Sequence, residues 1–192
     1  MSKRAYLIHG WGDSPLGSWF PWLKLELEEK GYQVSVPAMP HPERPTIEDW
    51  VAALSTAVDP MPDEETVLVG HSVGCQTILR YIQKLPEEVE IGQVALVAPW
   101  LVLSGIEKDE EGIAKPWLET PIDFGAIRKR VDRFGLLFSE DDPYVPIREN
   151  VDLFHEALLD AFGMILPNKG HISGFDNPPV RELPEIFQVL QV

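Results

Sequence analysis

Short apolar runs alternate with longer amphipathic stretches along most of the chain, and this alternation constrains the fold more than any other feature. The apolar runs have the length and composition of buried strands, and they lie at 5–8, 32–36, 66–69, 93–98, 133–139 and 163–166. The stretches with the apolar spacing of helices lie at about 18–30, 46–58, 75–84, 146–162 and 180–190. Strands that alternate with helices predict an α/β protein with a parallel sheet and helices on both of its faces.

Residues 99–121 interrupt the alternation and are rich in acids around 107–111. A stretch of more than about 12 to 15 residues without secondary structure is uncommon in a compact domain and usually has a function. We therefore expect residues 99–121 to form an irregular, cap-like insertion over a site. The length of 192 residues, 44% of them hydrophobic, otherwise fits a single domain spanning 1–192.

The charge balance excludes several classes of partner. The chain has 31 Asp and Glu against 16 Lys and Arg, a formal net charge of −15. Nucleic acids and anionic membranes require a basic face, so neither is an expected partner. The apolar run at 5–8 is too short for a signal peptide, and no run approaches the roughly 18 residues of a membrane span. Cys75, the only cysteine, excludes an intramolecular disulfide and fits a reducing compartment, so we predict a soluble cytoplasmic protein.

The sharpest motif is Gly70-His71-Ser72-Val73-Gly74, which lies directly between a predicted strand and a predicted helix. A Gly-x-Ser-x-Gly segment in this context is typical of a nucleophile elbow, where a tight turn exposes a serine and the glycines allow close packing. The alternative interpretation is a glycine-rich turn between strand and helix, as in a nucleotide-binding fold. Under the first interpretation, Ser72 is the candidate nucleophile.

A serine nucleophile needs a base, and the base needs a carboxylate to orient it. Both should follow later strands, in the order serine, acid, histidine. His171 follows the sixth predicted strand, and two acids, Asp141 and Asp142, follow the fifth. We favour Asp142, because Pro143 fixes the backbone just after it, whereas Asp141 is more simply interpreted as a solvated loop acid.

The other histidines and the cysteine have simpler explanations. His9 ends a strand and is expected to hydrogen-bond loop backbone, His41 lies in a proline-rich loop, and His155 lies in a helix without a neighbour at ligand spacing. Cys75 is interpreted as a small core residue. No His-Glu-x-x-His motif or Cys-His cluster is present, so no metal site is predicted.

Acyl transfer also needs hydrogen-bond donors for the oxyanion. The candidate donors are the backbone N–H of Val73, at the start of the helix after the elbow, and that of Trp11, in the glycine-rich turn after the first strand. The alternative for the second segment is a flexible turn. Four tryptophans could line an apolar acyl pocket, although tryptophans are as often core residues: Trp11, Trp19, Trp100 and Trp117.

Four segments together resemble the small α/β-hydrolase-fold serine hydrolases, and more narrowly the compact branch typified by retinoblastoma-binding protein nine. They are Ile8-His9-Gly10-Trp11, the Gly70–Gly74 motif, Asp142-Pro143-Tyr144-Val145-Pro146 and Gly170-His171. The resemblance implies a three-layer sandwich with a mainly parallel six-stranded sheet of order 2-1-3-4-5-6 and a minimal cap. It also implies a Ser72–His171–Asp142 triad, an esterase-like activity and no cofactor.

The resulting hypothesis is a serine hydrolase that cleaves an ester, thioester or amide of a small acyl substrate through an acyl-enzyme. An alternative is a non-catalytic protein-interaction module on a hydrolase fold, with the acidic surface as the binding face for a protein partner. A lyase or dehalogenase on the same fold is a third possibility. Dehalogenation, however, needs a carboxylate at the elbow, where this chain has Ser72.

Overall fold

The computed structural model describes residues 2–59 and 61–191, and its centre is a six-stranded sheet. The strands are β1 (Arg4–Ile8), β2 (Gln33–Ser35), β3 (Thr66–His71), β4 (Ile91–Val97), β5 (Val131–Ser139) and β6 (Phe162–Leu166). The helices are α1 (Phe20–Glu29), α2 (Ile47–Ala57), α3 (Val73–Ile82), α4 (Glu111–Glu119), α5 (Phe124–Arg128), α6 (Ile147–Ala157) and α7 (Ile186–Leu190). All five strand pairings are parallel, and the order β2-β1-β3-β4-β5-β6 confirms the predicted topology.

The sheet separates two hydrophobic layers, because successive side chains along a strand point to opposite faces. In β1, Ala5 and Leu7 pack into one layer, while Tyr6 and Ile8 pack into the other. The first layer is closed by the buried faces of α1 and α7, and the second by those of α2, α3 and α6. The predicted three-layer arrangement is therefore confirmed.

Capping and turn residues explain where two of the helices begin. Pro21 lies in the first turn of α1, where its missing N–H costs no intrahelical hydrogen bond. Thr46 is the N-cap of α2, and its hydroxyl oxygen accepts a hydrogen bond from the N–H of Asp49 at 3.2 Å.

The prediction of an irregular stretch at 99–121 is wrong for residues 111–119, which form α4. Pro116 lies inside this helix. Proline is unfavourable there because it removes one intrahelical hydrogen bond, so the sequence does not predict a helix. The side chain of Arg80, on α3, contacts the end of α4 and stabilises it. Its guanidinium is buried and donates hydrogen bonds to the carbonyls of Trp117 and Thr120, at 2.8 Å each, at the C-terminal end of α4. A tertiary contact thus stabilises a helix with weak local propensity.

Two helices are shorter in the structure than the sequence predicts. The helix predicted at 146–162 ends at Ala157, because Leu158 turns into the core and Phe162 already pairs with Gly135 of the sheet. The helix predicted at 180–190 begins only at Ile186, after Pro184. The short helix α5 carries no strong apolar periodicity and was not predicted.

Strand register brings several loops to one edge of the sheet. His71 at the end of β3 pairs with Val97, Val97 pairs with Leu137 of β5, and Leu137 pairs with Met164 of β6. The loops that follow these strands therefore start side by side. No helix within the described residues is long and apolar enough to cross a bilayer.

Candidate active site

Ser72 occupies a strained turn between β3 and α3. Its backbone has φ 52° and ψ −120°, a conformation that residues with a side chain rarely adopt. Glycines make the turn possible, since a Cβ on Gly74 would lie 2.4 Å from the carbonyl oxygen of Ile8 and one on Gly70 would lie 2.8 Å from the amide of Cys75. Strand and helix therefore pack closely, and the side chain of Ser72 lines a pocket at the sheet edge.

His171 and Asp142 meet at the same edge, although 29 residues separate them. The Nδ1–H of His171 donates a hydrogen bond to Oδ2 of Asp142 at 2.8 Å. The other carboxylate oxygen, Oδ1, accepts the backbone N–H groups of Tyr144 and Val145 at 2.9 and 3.1 Å. With Nδ1 protonated, the free ring nitrogen of His171 is Nε2, and this tautomer can accept a proton.

The histidine loop, residues 168–176, is held by polar contacts. The carboxylate of Asp176 accepts the backbone N–H groups of His171, at 3.0 Å, and Ser173. The Nε2–H of His71 donates to the backbone carbonyl of His171 at 2.8 Å. Burial, with a further contribution from neighbouring His171, lowers the pKa of His71 to about 4, so its ring is neutral at pH 7. The elbow thus contacts the loop that carries His171.

Asp141 is exposed, as predicted for a loop acid, and its side chain in addition contacts this loop. Its Oδ1 accepts the N–H of Gly170 at 3.0 Å and the hydroxyl of Ser139 at 2.8 Å. The hydrogen bond from Ser139 is the main reason that the pKa of Asp141 lies below its usual range. Asp142 contacts the His171 ring, whereas Asp141 contacts the backbone beside it.

The pocket that Ser72 and His171 line has a volume of about 480 Å³. Aromatic side chains form part of its wall, and four carboxylates lie among its lining residues: Asp13, Glu43, Glu110 and Asp176. Within residues 2–59 and 61–191, no lysine or arginine lines it. Residues of the 99–121 stretch contribute to the lining through Trp100, Leu103, Ile106 and Glu110.

The two amides proposed as oxyanion donors lie at the ends of β1 and β3. The N–H of Val73 begins α3 directly after Ser72, while Trp11 lines the pocket from the loop after β1. Across the described ranges, neither amide N–H has a hydrogen-bond partner. Gly10 lets the β1 loop approach the elbow, because a Cβ there would lie 2.7 Å from Nδ1 of His71.

Only two of the four tryptophans expected at the pocket line it. Trp11 and Trp100 are lining residues, whereas Trp19 and Trp117 are fully buried in the two hydrophobic layers. Both core tryptophans donate their indole N–H to backbone carbonyls, that of Ile172 at 2.9 Å and that of Pro45 at 3.1 Å. For these two the core alternative is the correct one, and each indole joins segments far apart in sequence.

The contacts of Trp100 were not predicted from the sequence. Its indole N–H donates to Oγ of Ser72 at 3.3 Å. Its carbonyl accepts a hydrogen bond from Gln76, and the two residues after it are held by Asn150; both amide side chains lie inside helices and are 1% and 0% exposed. Such buried amides on helix faces were the available signal, because a polar side chain in a core position requires hydrogen-bond partners.

His9 and Cys75 are buried structural residues, as predicted. Nε2 of His9 accepts the N–H of Met39 at 3.1 Å and Nδ1–H donates to the carbonyl of Gly10 at 2.9 Å, so the ring ties loop backbone together. Burial lowers the pKa of His9 and raises that of the Cys75 thiol. Among the described residues, no group of three or more His, Cys, Asp or Glu side chains is placed to hold a metal ion.

Comparison with known proteins extends these observations. A family model described as "Serine hydrolase" matches residues 5–191. The chain is 31% identical over 192 residues to the putative hydrolase YdeN of Bacillus subtilis, covering 99% of this chain and 95% of that protein. It is 27% identical over 181 residues to the serine hydrolase RBBP9 of Rattus norvegicus, covering 94% and 90%.

Solved structures agree on the fold. The crystal structure of the B. subtilis ydeN product superposes with a TM-score of 0.86 at 30% identity, covering 98% of this chain and 96% of that one. Est1E from Butyrivibrio proteoclasticus has a TM-score of 0.69 at 13% identity, covering 89% and 80%, and shows the fold alone. The predicted α/β-hydrolase fold is thereby confirmed.

Proposed function

The chain belongs to the serine hydrolase family, and we propose that it hydrolyses small carboxylic esters through an acyl-enzyme formed on Ser72. His171 is the general base and then the general acid, and Asp142 orients it. The main support for this proposal is the hydrogen bond of 2.8 Å between His171 and Asp142. The two loops that carry these residues lie beside the pocket that Ser72 lines. Thioesters and amides would use the same machinery, and the amide is the most demanding of the three to cleave.

In the first half of the reaction, Nε2 of His171 takes the hydroxyl proton while Oγ of Ser72 attacks the carbonyl carbon. Within the described residues, the hydrogen-bond partner of Oγ is Trp100 and not His171. Such bonds are often absent without substrate and form in the substrate complex. The protonated imidazole faces Asp142, whose second oxygen is already occupied by backbone amides, so the carboxylate cannot rotate away.

The oxyanion of the tetrahedral intermediate needs donors that are free in the resting enzyme. We assign this role to the backbone N–H groups of Trp11 and Val73. Neither N–H has a hydrogen-bond partner within the described ranges, which supports the assignment. The N–H of Val73 also lies at the N-terminus of α3, where the helix dipole is positive. No cofactor or metal takes part in this scheme, and its expected partner is a small acyl substrate. We infer a cytoplasmic location for the reaction, since one free, buried cysteine is compatible with a reducing compartment.

The test is covalent labelling with a fluorophosphonate probe, together with hydrolysis of p-nitrophenyl acetate. We expect the wild-type chain to be labelled on Ser72, and Ser72→Ala to lose both labelling and activity. His171→Ala and Asp142→Asn should lower the hydrolysis rate by about 10³-fold or more, as for triad residues elsewhere.

Glu140→Gln is the matched control, because it removes a charge from the same loop without removing a side-chain contact seen in the described part of the chain. It should retain labelling and activity. A folded wild-type chain that neither reacts with the probe nor hydrolyses activated esters would overturn the proposal and favour the non-catalytic interaction module.

A further inference from the structure

We propose that the indole N–H of Trp100 is a catalytic hydrogen-bond donor to Oγ of Ser72, and that it acts mainly when this oxygen leaves the acyl group during deacylation. The inference rests on the proposed function of Ser72 and adds a residue that the triad and the backbone donors do not include. It is carried by the hydrogen bond of 3.3 Å between Nε1 of Trp100 and Oγ.

The contact is unusual among the tryptophans of this chain. Four others donate their indole N–H to backbone carbonyls, namely Trp11, Trp19, Trp50 and Trp117. Across residues 2–59 and 61–191, Trp100 is the only tryptophan whose N–H points to a side chain, and that side chain is the candidate nucleophile. Trp100 is 1% exposed, so its N–H has no access to bulk water as an alternative partner.

The surrounding structure fixes the backbone that carries the indole relative to Ser72. Gln76, one helical turn after Ser72 on α3, donates from Nε2 to the carbonyl of Trp100 at 2.6 Å. The next residue, Leu101, donates its N–H to Oδ1 of the buried Asn150 at 2.6 Å. The helix that carries the nucleophile thus also holds the donor, and Asn150 on α6 fixes the chain just beyond it. Little reorganisation is needed for the indole to follow Oγ.

The strength of this hydrogen bond depends on the charge of Oγ, because a donor interacts more strongly with a more negative acceptor. In the acyl-enzyme Oγ is an ester oxygen and a poor acceptor. During deacylation water attacks the acyl carbon and gives a proton to Nε2 of His171. The C–Oγ bond then breaks, Oγ keeps the bonding pair and takes the proton from His171, and the indole proton stays on its nitrogen.

The indole should therefore favour deacylation more than acylation. In acylation Oγ begins as a hydroxyl that already accepts the hydrogen bond, so the gain on reaching the transition state is smaller. In deacylation Oγ begins as a poor acceptor and becomes a good one, so nearly the whole interaction develops on the way to the transition state.

The experiment is stopped-flow hydrolysis of p-nitrophenyl acetate by Trp100→Phe. The variant removes the N–H and keeps an aromatic side chain in the core. We expect the deacylation rate constant to fall about tenfold and the acylation rate constant to fall less than about threefold. The burst of p-nitrophenol should then approach one equivalent per enzyme, with kcat reduced more than kcat/KM.

Trp117→Phe is the matched control, because Trp117 is equally buried in the same hydrophobic layer and also loses an indole hydrogen bond, away from Ser72. It should lose a similar amount of thermal stability while keeping the wild-type ratio of the two rate constants. An equal fall of both rate constants in Trp100→Phe, or the same kinetics in both variants, would overturn the proposal.

A second variant and a labelling measurement distinguish the possible outcomes. If Trp100→Phe does not fold, 3-benzothienylalanine at position 100 replaces the N–H by sulfur with almost no change of shape, and unchanged deacylation there would also overturn the proposal. A wild-type chain without fluorophosphonate labelling of Ser72 contradicts the hydrolase function itself. A labelled wild-type chain with an unaltered Trp100 variant contradicts only the role of Trp100.

Discussion

The elbow and the histidine loop carry two halves of the candidate site, but different forces hold them. The elbow, residues 70–76, is buried, and its shape follows from contacts between glycines and neighbouring backbone. The histidine loop is only partly buried and is held by carboxylates and one imidazole that contact its backbone. The candidate nucleophile is thus located by steric fit and the candidate base by hydrogen bonds. Added volume should damage the first region, and altered charge the second.

The largest effect is expected from added volume in the elbow. Gly74→Ala would place a Cβ 2.4 Å from the carbonyl oxygen of Ile8 and 2.7 Å from that of His9, and neither backbone atom can move without shifting β1. We expect a loss of about 3 kcal/mol or more in the free energy of unfolding, measured by urea denaturation. In Gly163→Ala nothing lies within 4 Å of the new Cβ, so its stability should stay close to wild type. Equal stability of the two variants would show that steric fit does not locate Ser72.

The next effect is expected from acid, acts on the residue that joins the two regions, and approaches the size of the first only near pH 4. The pKa of His71 is lowered to about 4 in the folded state, against about 6.5 when unfolded. The unfolded chain therefore binds more protons below pH 6.5, so the stability contributed by neutral His71 is complete above pH 6.5 and is lost as the pH falls toward 4. The loss should reach about 3 kcal/mol over this window.

Urea denaturation between pH 4 and pH 7 measures this slope. His71→Gln is the comparison variant, since glutamine can still donate a hydrogen bond to the carbonyl of His171 but does not titrate. It should show a flatter dependence of unfolding free energy on pH. A slope identical to that of the wild-type chain would exclude His71 as the titrating group.

The smallest effect is expected from one anchor of the histidine loop. Asp141→Ala removes the acceptor for Gly170 N–H and for the Ser139 hydroxyl. Because Asp141 is exposed, the cost in stability should stay below about 1 kcal/mol, whereas ester hydrolysis should fall several-fold as the backbone beside His171 loosens. Glu140→Ala should change neither quantity. An Asp141→Ala enzyme with full activity would show that Asp176 and His71 suffice to hold the loop.

The sheet and the main site residues could be predicted because their signals are local. Each apolar run marks its own strand, and the glycines of 70–74 mark a tight turn wherever they occur between strand and helix. Asp142 was favoured over Asp141 because Pro143 follows it directly and Val145-Pro146 begins the next helix, and it is Asp142 that contacts the ring of His171.

The remainder depends on contacts between segments far apart in the chain. Helix α4 contains Pro116, and it is stabilised by Arg80, which no local pattern relates to it. The backbone of Trp100 and Leu101 is held by Gln76 and Asn150, which approach it from two different helices. Asp141 contacts a loop 29 residues away. Sequence patterns report which face of an element is apolar, but they do not report which polar side chain meets which distant backbone group.

The four carboxylates of the pocket have a consequence for turnover. Under the proposed reaction a neutral ester enters, and its hydrolysis creates a new carboxylate inside a site that already carries negative charge and has no lysine or arginine along its wall within the described residues. Like charges repel more strongly in a partly desolvated cavity than in water. The acid product is therefore expelled by the electrostatics that leave the uncharged ester unaffected. Accumulated product should inhibit the enzyme weakly, because this repulsion favours release of the acid product and does not act on the neutral substrate.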